Sequence, residues 1–278
     1  MNSDLLRRRQ VAPISERVWS QIDDAARRAA VHVLAGRRIA DFDGPRGWDH
    51  VGARLGTLRP SHTSRPSGTA RLAVPDIALL AEIRADFVLP WVAVETFERG
   101  APALDTSAVE TAAHDVAEAE DHLVFFGDGE HEGILSSPKS PRVGLGDWAE
   151  PGRAVADLMA AVDALDRHGV GGPYVAILDP ARFNIFWQAQ ASGCGYPASE
   201  QVKERLKDVY RSAVLTGAAV ASCRGGDFVI TVGGDLTVGY QSHDSDVLHL
   251  FCVESVAAQL VAPDAVCVLN GQVTNPKS

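Results

Sequence analysis

His114, Glu118 and His122 recur at intervals of four residues. On a helix they would share one face, and imidazole and carboxylate groups so spaced can hold a divalent cation. Their neighbours Asp115, Glu120 and Asp121 give the same stretch the look of a solvated or ion-paired face. No second ligand-bearing segment accompanies them, so no metal is expected. Cys194 sits between glycines in SGCGYP and could offer an accessible thiol, yet the sequence identifies no base to activate it. The RGGDF run at Arg224 to Phe228 lacks the further acid of a cyclic-dinucleotide synthase signature and reads as a turn. No GxSxG, P-loop, GxGxxG or HExxH pattern occurs. No catalytic residue can be assigned, and the chain is not expected to be an enzyme.

The elements that would carry these residues begin with a helix. Ser15 is a plausible N-cap, and Val18, Ile22, Ala26, Ala29 and Val33 recur at helical spacing until Gly36. A stretch rich in Gly, Pro, Ser and Thr follows, carrying Arg46, Arg54, Arg59, Arg65 and Arg71, with Asp49 the only acid between the first and last of them. It reads either as a surface loop or as an arm reaching an acidic neighbour. Ile83, Ala85, Phe87 and Leu89 alternate with other residues as in a strand with one buried face, until Pro90 disturbs the ladder. Ser107 and Glu110 form a candidate capping box for a helix running to Phe126 and Gly127. A helix over 151–169, a strand at PYVAIL and a helix from Asp179 and Pro180 to Gly193 come next. From Val214 to Leu269 short apolar runs are broken by glycine pairs, as in a β-rich meander. Helix, arm, strand, helices, then strands is the order of an α+β fold.

With 278 residues, 46% of them hydrophobic, the chain can bury the core of one elaborate domain or two intimate ones. A formal net charge of -10 argues against gripping nucleic acid. No apolar run approaches the roughly eighteen residues of a membrane span, and MNSDLLRRRQ lacks the apolar core of a secretory signal. Cys194, Cys223, Cys252 and Cys267 contain no CxxC pair. These features lead us to expect a reduced, cytoplasmic protein without nucleic-acid or membrane partners.

Motifs in order along the chain are more specific. They are APIS with Trp19, LAGRR at Leu34, the DGP of Asp43 to Pro45 with Gly47 and Trp48, FERG at Phe97, AEDHLVFFG at Ala119, EGI at Glu132, GPY at Gly172, GYP at Gly195, RGGDF at Arg224, and DLTVGY at Asp235 followed by SHDSD. Together they resemble the family 1 encapsulin shell proteins, also known as linocin-type bacteriocins, from about Ala12 to Leu269. The resemblance implies the major-capsid fold of tailed phages. Its parts would be an amino-terminal helix of the peripheral domain (1–42), an extended arm (43–71), the peripheral domain with its spine helix (72–137), an axial domain (138–223), and the peripheral sheet with the carboxy-terminal tail (224–278).

The resemblance further implies self-assembly into an icosahedral shell of about sixty copies or a multiple. Such a shell encloses a cargo enzyme, a dye-decolourising peroxidase or a ferritin-like iron oxidase, through the cargo's carboxy-terminal peptide. Carried over residue by residue, the peptide groove would involve Arg37, Ile39, Asp41, Ile230, Val232, Leu236 and Val238, unless the apolar ones simply pack the subunit core. The arm would use Arg46, Arg54, Arg59, Arg65 and Arg71 against a neighbouring subunit. Ser192, Gly193, Cys194 and Gly195 would border a fivefold pore. Some family members hold a flavin against a Trp just before the ERG motif; here Trp91 is displaced by one residue, which on a strand would turn it to the other face, so no cofactor is expected. A prophage capsid protein or a peptidase are the alternatives.

Overall fold

The computed structural model describes residues 8–60, 72–188 and 197–270. Helix α1 (Glu16–Val33) starts where Ser15 accepts a hydrogen bond from the Val18 amide, satisfying one of the orphan donors of a first turn. Val18, Trp19, Ile22, Ala25, Ala26 and Ala30 form its buried stripe, and that stripe rather than helix propensity holds the helix to the protein. A 3-10 turn at Gly36–Arg38 leads into strand β1 (Asp41–Asp43).

Strands β2 (Gly52–Pro60) and β3 (Ala73–Leu79) pair antiparallel as a ribbon, with Gly52 opposite Leu79. The strand that pairs with β2 inside the expected arm (43–71) lies beyond that span and runs to Leu79. Pro75 and Asp76 hide that strand from a propensity reading. Arg65 and Arg71 lie outside the described residues.

Strand β4 (Ala81–Pro90) alternates as its sequence predicts, exposed at Glu82, Arg84, Asp86 and Val88 and buried or half-buried between them. Pro90 ends the ladder and heads helix α2 (Trp91–Glu98), which the sequence did not announce. Helix α3 (Ser107–Phe126) starts differently from the expected capping box. Asp105 Oδ1 accepts from both the Ser107 amide and its hydroxyl, at 3.1 and 2.8 Å, and Thr106 Oγ1 donates to Glu110 Oε1 at 2.9 Å. A carboxylate two residues earlier takes the Ser107 amide that Glu110 would have accepted in the box, and turns the Ser107 hydroxyl into a donor.

Strand β5 (Arg142–Gly144), helix α4 (Arg153–Arg167), strand β6 (Tyr174–Leu178), helices α5 (Pro180–Gln188) and α6 (Ala198–Val202), and strands β7 (Leu206–Arg211) and β8 (Ala218–Ser222) follow. The Asp179 carboxylate accepts from the Arg182 amide at 2.7 Å at the start of α5; the stretch from 189 to the expected helix end at Gly193 lies outside the described residues. Strands β9 (Phe228–Val232), β10 (Thr237–His243), β11 (Val247–Leu260) and β12 (Val266–Asn270) complete the chain's elements.

Two five-stranded sheets result. One has the order β1-β9-β11-β10 with β4 also paired to β11; the other has the order β5-β12-β8-β6-β7. Their cores meet: Phe228, Ile230, Val232 and Val256 of the first pack in one cluster with Leu178, Val220 and Leu269 of the second. Strand β12 departs from the expected partition at 223/224, because it lies between β5 and β8 in the second sheet. All five residues of β6 are buried, as a strand covered on both faces requires.

Candidate functional site

The 14-residue strand β11 sets the geometry of the site. It pairs with β4 along one edge, and with β10 and β9 in succession along the other. Between β9 and β10 the chain steps across Gly233 and Gly234, held by Gly233 N to Ser255 O and Ser255 N to Gly234 O, each at 2.8 Å. The step carries Asp235 and Leu236 out beside α1. There a groove of about 420 Å³ opens between α1 and the start of β10. Ala26, Ala30 and Leu34 line one wall and Leu236 the other, with Arg37 and Asp235 at its polar end. Arg9 forms a two-pronged ion pair with Asp23, Nη1 to Oδ2 at 2.7 Å, and its Nε donates to the Val238 carbonyl at 2.9 Å.

Arg37 is the centre of the site's electrostatics. Its Nε donates to Glu120 Oε1 at 2.7 Å and its Nη2 to Glu120 Oε2 at 2.6 Å. Nη2 also reaches Glu254 Oε2 at 3.1 Å, and Nη1 reaches Asp235 Oδ1 at 2.8 Å. Three elements, α3, β11 and the step before β10, thus converge on one guanidinium. Glu120 and Glu254 are buried, whereas Asp235 is 45% exposed. Burial, followed by the Glu120 charge, holds the Glu254 carboxyl well above the ordinary range, against the pull of Arg37. Beside this network Asp121 accepts from the Ala35 and Gly36 amides at 3.0 and 2.8 Å, which fixes the turn carrying Arg37. Burial pushes the Asp121 carboxyl up to about 7 despite those donors.

Of the seven residues expected in the groove, Arg37 and Leu236 line it directly, and Val238 borders it while being fully buried. Ile39, Ile230 and Val232 do not line this groove: they are buried in the subunit core, Ile39 just after the 3-10 turn and the other two on β9, which is enclosed by its neighbours. Asp41 is exposed on β1 and its carboxylate accepts from the Gly226 amide. Sequence reasoning missed Glu120, Glu254, Asp23 and Arg9. Glu120 and Asp121, read as a solvated or ion-paired face, are fully buried. A carboxylate inside the otherwise apolar run of β11 was the one available signal for Glu254.

Other expectations place as follows. Arg46 donates to Asp43 at 2.9 Å, Arg59 stands 3.9 Å from Asp76, and Arg54 is exposed on β2. The ribbon and the residue leading into it also expose Leu58, Leu79 and Val51 at 68%, 66% and 72%. Ser192, Gly193, Cys194 and Gly195 lie outside the described residues. The ligand atoms of His114, Asp115 and Glu118 come within 4.8 Å of one another on an exposed face, while His122 turns its ring to Phe126. Burial pushes the free thiols of Cys223 and Cys267 up to about 11 and that of Cys252 up to about 12, which keeps them protonated. Trp91 heads a helix, so the parity argument drawn for a strand does not apply to it; its Nε1 donates to the Asp244 carbonyl at 2.9 Å. Among the described residues no helix is long and apolar enough to cross a membrane.

Two joined sheets, a long spine helix and a projecting ribbon define a capsid-type subunit, and solved structures share that fold. The virus-like particle of Pyrococcus furiosus aligns with a TM-score of 0.64 at 16% identity, over 91% of this chain and 99% of that one. The capsid of Myoviridae phage XM1 aligns with a TM-score of 0.60 at 11% identity, over 86% and 92%. The chain belongs to the encapsulin shell-protein family, described as the encapsulating protein for peroxidase, which matches residues 3–257. The type 1 encapsulin shell protein of Rhodospirillum rubrum is 33% identical over 97% of each chain, and that of Rhodococcus erythropolis 32% identical over 94% of this chain and 98% of its own. Its relatives are structural shell proteins, and this chain is likewise a shell subunit rather than an enzyme.

Proposed function

We propose that the shell built by this chain is a closed icosahedral compartment that takes up a cargo enzyme by binding the cargo's carboxy-terminal peptide in the groove between α1 and Asp235–Val238. The observation that carries the reading is the groove itself. Ala26, Ala30, Leu34 and Leu236 offer apolar walls, with Arg37 and Asp235 placed for the polar backbone or charged groups of an extended peptide. The resemblance noted in the sequence supports placing α1 and the late sheet on the shell interior. The family description names a peroxidase as the enclosed protein; a dye-decolourising peroxidase or a ferritin-like iron oxidase is the cargo class we propose here.

The β2–β3 ribbon is the proposed inter-subunit arm, with its exposed Leu58 and Leu79, and Val51 leading into it, covered by a neighbouring copy and Arg54 meeting that neighbour's acids. The segment Ser192 to Gly195 is the proposed border of a fivefold pore that passes small solutes and retains proteins. A shell enclosing DNA is disfavoured by the charge of -10 on every subunit.

The test is electron microscopy of the protein expressed alone and then with candidate cargo. Closed spherical particles, with peroxidase or ferritin-like protein inside only when its terminal peptide is intact, are the expected result. A monomer or dimer across a range of salt would overturn the shell reading.

A further inference from the structure

The charges around Arg37 do not balance. One guanidinium faces two buried carboxyls, Glu120 and Glu254, and a third, half-exposed one, Asp235. Glu120 receives a complete two-pronged bond, whereas Glu254 receives only a share of Nη2 at 3.1 Å. Glu254 Oε1 is the one buried side-chain polar atom among the described residues without a hydrogen-bond partner. A second full negative charge so deeply buried, unmatched by a cation, would be costly. A proton on the Glu254 carboxyl removes it.

We propose that Glu120 and a protonated Glu254 are positioning residues that set Arg37 and, through it, the Asp235 lip of the groove. With the proton in place, Arg37 satisfies Glu120 with two of its nitrogens and keeps Nη1 free for Asp235. Asp235 Oδ1 in turn accepts the Leu236 amide at 2.9 Å, so the lip and the apolar wall beside it are fixed by the same oxygen. Loss of the proton leaves two buried negative charges competing for one guanidinium. It also repels the Asp235 carboxylate, so the lip is released as pH rises. The burial-raised carboxyl of Glu254 agrees with this direction.

The remaining charged groups around the network fit the assignment. From α1, Asp23 is occupied by Arg9 and Asp24 faces Arg27. On α3 Asp121 is held by backbone amides. The Phe42 ring also faces the guanidinium, 5.2 Å from it. The value of a movable lip rests on the docking role proposed for the groove, but the lip can be examined in the empty shell.

Hydrogen exchange over residues 233–238 would be followed in assembled, cargo-free shells from about pH 6 to about pH 9, corrected for the intrinsic pH dependence of exchange. Protection should fall about tenfold in the wild type and stay level in Glu254→Gln, whose amide mimics the protonated carboxyl. Asp235→Asn should be unprotected throughout. A level wild type, or a Glu254→Gln profile that follows the wild type, would overturn the proposal. If Glu254→Gln does not fold, infrared difference spectra of Asp121→Asn shells, which lack the neighbouring raised carboxyl, decide: a protonated-carboxyl band that bleaches over the same range supports the clamp, and its absence at every pH refutes it. No peptide is present in either measurement, so the outcome is independent of whether cargo docks there.

Discussion

The Trp48 indole packs onto Gly234 so closely that a Cβ added at Gly234 would stand 2.1 Å from the ring. The two residues are far apart in sequence, and the contact ties the chain leaving β1 to the step that places Asp235 and Leu236. Gly234→Ala must push the ring away or distort the step, at a cost of about 1–3 kcal/mol. Gly226→Ala, where φ is +81° and nothing stands within 4 Å of the added carbon, should cost only backbone strain of about 1 kcal/mol. Denaturant midpoints of the two variants should separate in that order.

Substituting aspartate at two neighbouring positions separates the groove from the core. Ile230 is fully buried in the main cluster, so Ile230→Asp should abolish soluble shells. Leu236 is half-buried on the groove wall, so Leu236→Asp should leave shell size and yield intact. A reporter carrying the cargo peptide should fail to load into it, because docking would then desolvate an unpaired charge at a cost of several kcal/mol. The check is the ratio of co-purified reporter to shell, and equal loading would place the docking site elsewhere.

The ribbon gives a prediction about assembly alone. Leu58 and Leu79 are 68% and 66% exposed in the subunit, and covering a leucine is worth about 2 kcal/mol. Replacing both with Ser should leave the circular dichroism of the subunit unchanged while raising the concentration needed for shells to form. Light scattering against concentration reads the shift, and an unchanged threshold would mean that these leucines meet no neighbour.

Asp121 gives the pH dependence a sign. Its carboxyl is raised from 3.8 to about 7 in the fold, so the native state binds more protons than the unfolded chain between those values. Stability carried by this group is complete below about 4, falls as pH rises to about 7, and is level above. Asp121→Asn should remove that slope, on the order of 2–4 kcal/mol between its ends. Unfolding midpoints of both proteins at about pH 5 and about pH 8 test it.

How much of this was legible in the sequence depended on the range of the interactions. Ser15 and the stripe from Val18 announced α1, and the alternation of Ile83 to Leu89 announced β4, because cap and periodicity are local. The glycine step between β9 and β10 was legible as a break but not as a site. The Arg37 network joins positions 83, 198 and 217 residues apart, and no periodicity encodes such a meeting. Glu120 looked like a surface residue since its sequence neighbours are acidic, and the packing of α1, β4, β11 and the turn at Gly36–Arg38 on α3 accompanies its burial. The family resemblance brought Arg37 and Leu236 to attention, yet it brought the core residues Ile230 and Val232 along with them, since alternate residues of an enclosed strand are all apolar.

The course of the backbone between the two sheets bears on how a shell of such subunits would carry force. The chain leaves the first sheet after α3, builds β5 to β8, returns for β9 to β11, and crosses again for β12. Three crossings and a shared apolar cluster stitch the halves together, where a single linker would let them pivot. A pull on either sheet is therefore distributed through several covalent paths, and the halves yield together or not at all. Calorimetry of the dissociated subunit should show one cooperative transition rather than two, and a wall made of such pieces should bend at the seams between subunits before any subunit bends within itself.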